Sequence, residues 1–370
     1  MCEYRLTAIH HFLSHSTTPY TYDNTSIPST LVASTRPTRR ISASDLDFTL
    51  STTTYDPSEH NPGKTPYSHI SPLLSTSEDL IMAKPTIQIT SLGSSFAAGP
   101  GIPPEVNPVT RTSAKNHPRL LQKALGDECK LHDASSSGAT LLNILSDPQE
   151  MVMHRTSLPP QIDGVPPTSH IVTVTAGGND MGYSRAMIAD AARASIGDPD
   201  FLSAFLEMLG LPASGAAEPA DADGEEVARR FVRVVDAVRE RCGRDVKVYL
   251  VEYVDVFGPA SFARAADQPL SAERVEHFIG MSNTLRKAYR DAAAARSGEG
   301  GDAGWKAVEV VSMSDLSRGH EVGSAEPWVT GFEVGMFREG LVPFHPNAAG
   351  HEAVARELER RVRGEVGVRS

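Results

Sequence analysis

Cysteine is scarce in this 370-residue chain, with only Cys2, Cys129 and Cys242 present. They are widely spaced and odd in number, so neither a dense disulfide framework nor a metal-binding pair follows. That scarcity favours a reducing compartment, and a cytoplasmic location is expected, with a mitochondrial leader as the weaker alternative. Basic residues are also short, since 35 Lys and Arg stand against 46 Asp and Glu, for a formal charge of −11. Nucleic acid and anionic membranes require clustered cations, so neither is expected as the main partner. No apolar run approaches the roughly 18 residues that a membrane-spanning helix needs, and no integral membrane segment is expected. The opening stretch "MCEYRLTAIHHFLSHS" lacks the uninterrupted apolar centre of a secretory signal. No GxxxxGK[ST] phosphate loop occurs, and "HEAVA" at 351–355 lacks the second histidine of a zinc-binding HExxH.

What is present divides into two regions. Residues 1–81 are dense in Ser, Thr, Pro, Tyr and His and show no sustained period of 2 or 3.6. Too little apolar surface recurs there to offset ordering entropy, which predicts a disordered extension. The folded domain is expected over 82–370. Within it, strand candidates at 86–92, 130–135, 170–176, 246–254 and 305–313 alternate with helical patterns, the one at 170–176 apolar and β-branched. Near-continuous apolar strands separated by helices predict a five-stranded parallel sheet covered on both faces, a doubly wound α/β fold. Val227, Phe231, Val234, Val235 and Val238 form one helical stripe, and Phe278, Met281, Leu285 and Tyr289 form another. A helical insertion is expected at about 181–224, ending in the loop "GLPASGAAEPADADGEE".

In a doubly wound fold the active site lies beyond the carboxyl ends of the strands. Four stretches sit there and carry capable chemistry: Ser95 in "SLGSSFAAGPG", Gly138 in "SSSGAT", Asn179 in "TAGGND" and His345 in "VPFHPNAAGH". Serine, backbone N–H, amide and imidazole are the components of acyl transfer: nucleophile, oxyanion donors and general base. Each has a plainer reading, as a turn serine, a turn glycine, an amide capping a helix from Met181, or a histidine at a helix start. Asp180 is read as loop support. His351 is expected to be structural, and His117, His132, His154, His170 and His320 are expected to be ordinary surface or packing residues.

In order, "GSSFAAG", "SSGAT", "GGND" and "FHPNAAGH" resemble the sequence blocks of the SGNH hydrolases, or GDSL-type esterases and lipases, over roughly residues 84–365. The resemblance implies a flavodoxin-like three-layer αβα sandwich. It implies Ser95 as nucleophile, His345 as base, and the Ser95 N–H, Gly138 N–H and Asn179 side chain as oxyanion hole. It implies no metal or organic cofactor. The expected partner is a small-molecule or lipid ester, and a monomer is expected. Two departures stand out. Ser94 replaces the family's usual Asp before the nucleophile, where a local hydrogen bond by Ser can substitute. Position 342, three residues before the histidine, is valine in place of the third triad member. A Ser-His dyad is therefore expected, with the carbonyl of Val342 or a close neighbour orienting His345. Asp315 is the best side-chain substitute and Glu339 the second. Trp328, Phe332 and Phe337 are candidate acyl contacts, or equally the packing of a glycine-rich loop. Secreted relatives often carry cysteines in this loop and near the second block, where this chain has Gly323 and Ser135 to Ser137. The alternative function is a non-catalytic module that keeps the fold and binds an ester or glycan.

Overall fold

The computed structural model describes residues 86–208, 222–263, 268–297 and 307–365. The extension expected at 1–81 and most of the loop expected at 210–226 lie outside the described residues. Five strands form the central sheet: β1 (Ile87–Gly93), β2 (Cys129–Asp133), β3 (Ile171–Thr175), β4 (Lys247–Val251) and β5 (Glu309–Val311). Their order is β2-β1-β3-β4-β5, and every pairing is parallel. The chain steps outward from β1 to β2 and then returns past β1 to β3. That reversal opens a crevice at the carboxyl ends of β1 and β3.

All five residues of β3 and all five of β4 are buried, which is why these segments read as apolar runs without alternation. Flanking helices include, in chain order, α1 (His117–Leu125), α2 (Leu141–Leu145), α3 (Tyr183–Ser195), α4 (Pro199–Met208), α5 (Gly224–Cys242), α6 (Ala272–Ser297) and α7 (Ala348–Glu365). Helix α5 packs on α2 and α6, whereas α7 packs on α1. The two groups are the outer layers of an αβα sandwich. The α5 stripe of Val227, Phe231, Val234, Val235 and Val238 is fully buried, at roughly 1.5–3 kcal/mol for each such side chain. On α6, Phe278, Leu285 and Tyr289 are buried, and Met281 is partly so.

The expected insertion begins with α3 and α4, and Tyr183 of α3 packs edge-on against Phe278 of α6. Two short antiparallel hairpins have no counterpart in the sequence reading: Glu105–Asn107 with Thr112–Ser113, and Gln149–Met151 with Thr156–Leu158. Strands of two or three residues are too short for a period-2 pattern to register.

Candidate active site

Strand β1 runs without a break into the serine block. Gly93 pairs with Thr175 at the end of β3, so closely that a Cβ on Gly93 would lie 2.5 Å from the Thr175 carbonyl oxygen. The Gln161 side chain clamps this glycine from the other side, accepting from its N–H at 2.8 Å and donating to its carbonyl at 2.9 Å. Ser94 donates its N–H to the Thr175 carbonyl at 3.0 Å. The local hydrogen bond expected of its hydroxyl is not made; Oγ instead meets the Tyr253 hydroxyl at 2.6 Å, just past β4. The Tyr253 ring also stacks on Phe96, with centroids 3.8 Å apart and planes within 8°. Ser95 then opens the short helix Ser95–Ala98 and is buried.

The second and third blocks close around the first. Ser136 donates its N–H to the Gly93 carbonyl at 3.0 Å, which brings Gly138 beside the serine turn. Asn179 donates from Nδ2 to the Ala139 carbonyl at 2.9 Å, joining the third block to the second. Gly178 permits this approach, since a Cβ there would sit 2.7 Å from the Tyr253 ring. Neither Asn179 nor Asp180 caps α3, which starts at Tyr183 after Gly182. Asp180 instead accepts from the Leu141 N–H at 2.9 Å and from Arg230 Nη1 at 2.7 Å, tying α2 and α5 to the loop. Burial raises the pKa of the Asp180 carboxyl, although its hydrogen bond to the Leu141 N–H and the Arg230 guanidinium pull it down. The main-chain N–H groups of Ser95 and Gly138 have no hydrogen-bond acceptor among the described residues.

His345 arrives from the far edge of the sheet, on the long loop after β5. Its Nε2 lies 2.8 Å from Ser95 Oγ and its Nδ1 lies 2.7 Å from the Pro343 carbonyl. A carbonyl only accepts, so Nδ1 carries the proton and the Nε2 lone pair faces the serine hydroxyl. The loop bends back on itself because Phe344 adopts a left-handed backbone, φ 56°. Phe344 is fully buried against Phe257 and Phe332, and this packing holds the bend. Thr330 secures the turn: its hydroxyl donates to the Val342 carbonyl at 2.6 Å and its N–H donates to the His345 carbonyl at 2.9 Å. The Val342 carbonyl is thereby occupied, and the neighbouring Pro343 carbonyl meets the ring. Asp315 is not the substitute acceptor, being half-exposed and paired with Arg318 at 2.8 Å. Glu339 is exposed on the groove described below. Burial lowers the His345 pKa to about 4, against the opposing pull of the Pro343 carbonyl.

His351 is fully buried and structural in contact, accepting the His117 N–H on Nδ1 at 3.0 Å. His117 is buried beside it, with ring centroids 5.6 Å apart. Trp328 stacks on His320 at 4.1 Å, and Phe337 packs between Phe205 and Phe332. Phe332 lines a groove of about 560 Å³ with Val329, Thr330, Met336 and Leu341; Ser95 and His345 do not line it. Gln161, Tyr253, Thr330 and Arg230 escaped the sequence reading because each acts across a long stretch of chain and belongs to no local motif.

A parallel sheet of this order, with hydroxyl, amide and imidazole on the loops past its strand ends, gathers groups suited to acyl transfer at its crevice. A family model described as "GDSL-like Lipase/Acylhydrolase family" matches residues 91–353, and the chain belongs to that family. It is a carboxylic ester hydrolase. The chain is 25% identical over 290 residues to Lipase 2 of Streptomyces coelicolor, a match covering 74% of this chain and 85% of that protein. It is also similar to a solved phospholipase A1 from Streptomyces albidoflavus, at 18% identity and TM-score 0.49, covering 75% of this chain and 99% of that one. An extracellular lipase from Streptomyces rimosus is similar at 18% identity and TM-score 0.48, covering 74% and 99%.

Proposed function

We propose that the protein cleaves its ester through a covalent acyl-enzyme on Ser95, with His345 as general base in a Ser-His dyad. The carrying observation is the pair of contacts on one imidazole, Ser95 Oγ at 2.8 Å and the Pro343 carbonyl at 2.7 Å. Ser95 Oγ attacks the ester carbon as its proton passes to Nε2. The oxyanion that forms is met by the N–H groups of Ser95 and Gly138 and by Asn179 Nδ2. Collapse expels the alcohol, which takes the proton from Nε2, and a water repeats the sequence on the acyl-enzyme.

A neutral carbonyl orients the ring with a hydrogen bond of about 1 kcal/mol, where a charge-assisted bond contributes about 1.5–3 kcal/mol. The dyad therefore gives up rate and keeps the reaction. The name of the curated relative, a lipase, supports acyl esters as the substrate class. The reading takes a monomer, placed in the cytoplasm, with residues 82–370 as the catalytic domain.

Ser95→Ala is expected to lower 4-nitrophenyl butyrate hydrolysis by about 10³-fold or more, with the melting temperature little changed. A fluorophosphonate should label Ser95 in the wild type. A chain beginning at Met82 should keep the activity. Equal turnover by Ser95→Ala and wild type would remove the proposal.

A further inference from the structure

The hairpin between Glu105 and Ser113 borders two blocks of the site. Its Thr110 carbonyl accepts the Ser137 N–H at 2.9 Å, next to Gly138, and Thr112 Oγ1 donates to the Ser135 carbonyl at 3.3 Å. At its turn Arg111 holds a left-handed backbone, φ 55°. Gly or Asn would adopt that conformation at less cost, so backbone stability does not account for an arginine there. The side chain leaves the hairpin and crosses to the histidine loop, where Nη2 donates to the Gly340 carbonyl at 3.0 Å. Its ion pair with Glu105 is loose, Nε to Oε2 3.8 Å, and the side chain is 40% exposed. A guanidinium carries five N–H donors, and these contacts leave most of them available. The positive charge lies close enough to the imidazole to lower the proton affinity of His345.

We infer that Arg111 is a specificity-determining residue that binds an anionic group, carboxylate or phosphate, carried by the ester substrate. The inference rests on the Ser95–His345 reading above. Arginine suits the task because its planar fork meets both oxyanions with paired hydrogen bonds. The chain's charge of −11 opposes anionic ligands overall. Exposed charges more than about 10 Å away are largely screened at 0.1 M salt, so a guanidinium in direct contact with the anion outweighs them.

The test compares two matched pairs of esters on the full-length protein. 4-Nitrophenyl butyrate is paired with mono-4-nitrophenyl succinate, which carries a carboxylate on the acyl side. A monoacylglycerol is paired with the corresponding lysophosphatidic acid, which carries a phosphate on the alcohol side. In wild type, kcat/KM is expected to favour an anionic member. Arg111→Gln should lower that value by about 10-fold, mainly through KM, and leave the neutral esters within about 2-fold. Arg111→Asn should do the same while easing the backbone, which separates charge from folding. Loss confined to the succinate places the anion on the acyl side, and loss confined to the phosphate places it on the alcohol side. Equal changes on charged and neutral esters, or no charge preference in wild type, would overturn the assignment of Arg111. No turnover of any ester, with no fluorophosphonate label on Ser95, would overturn the dyad reading and this inference with it.

Discussion

Ser95 stands at the end of a regular element, whereas His345 stands on an irregular one. The serine turn is an extension of β1: Gly93 is still in register with Thr175, and the Gln161 amide closes both of its main-chain groups. Tyr253 supports the turn from β4, through the Ser94 hydroxyl and the Phe96 ring. The histidine loop belongs to no strand. A single bridge between Val329 and Pro346, the bonds of Thr330 and the left-handed Phe344 set its course. Ser95 is thus positioned by pairing that the whole sheet shares, and His345 by a few bonds that the sheet does not need. Damage on the first side should cost folding, and damage on the second should cost rate.

The sharpest way to break this contrast is Gly93→Ala. A methyl group 2.5 Å from the Thr175 oxygen forces two paired strands apart, and overpacking of a well-packed core costs about 1–3 kcal/mol or more. A clear fall in melting temperature is expected, with loss of activity alongside it. Thr330→Val is the counterpart on the histidine side. It removes the bond to the Val342 carbonyl, worth about 0.5–1.5 kcal/mol net, and loosens the ring's approach to Ser95. Here kcat should fall by about 10-fold, since misplacing a reacting group is costly, while the melting temperature moves little. A Thr330→Val protein that unfolds while Gly93→Ala merely slows would reverse the comparison.

The smallest effect is expected in the pH profile. Burial holds His345 down to about 4, so the ring stays neutral, and able to accept a proton, at every pH above that value. The acid limb of kcat/KM should accordingly lie near 4, well below the ordinary histidine value of about 6.5. Stability follows the same sign. The unfolded chain binds this proton first as the pH drops, so the contribution is whole above about 6.5 and is lost as the pH falls toward 4. His351, lowered to about 3 by burial and by the His345 charge, adds to the loss in acid. An acid limb near 6.5 would show that the ring is not held in a dry site.

Much of the framework was legible in the chain. The strand candidates became β1 to β5, and the stripes of α5 and α6 are the buried ones, because period and burial are local properties of sequence. Three of the blocks were legible for a similar reason, since each lies just past a strand end, and the histidine block by its motif on the long loop after β5. The partner of Ser94 was not: it is Tyr253, distant along the chain, and no spacing rule links them. The acceptor for the His345 ring was legible only as a neighbourhood, the carbonyl of Val342 or a close neighbour, and backbone direction selects that of Pro343. The hairpin carrying Arg111 was too short to leave a pattern.

Sequence alone determined the layers of this protein, the family to which it belongs and the four loops that face the crevice. Those follow from apolar periodicity and short motifs, which act within a few residues of one another. Only the tertiary structure decided which carbonyl faces the imidazole, which phenol supports the serine turn and where a guanidinium meets the histidine loop. Such contacts join distant segments, and their geometry exists only after the sheet has brought those segments together.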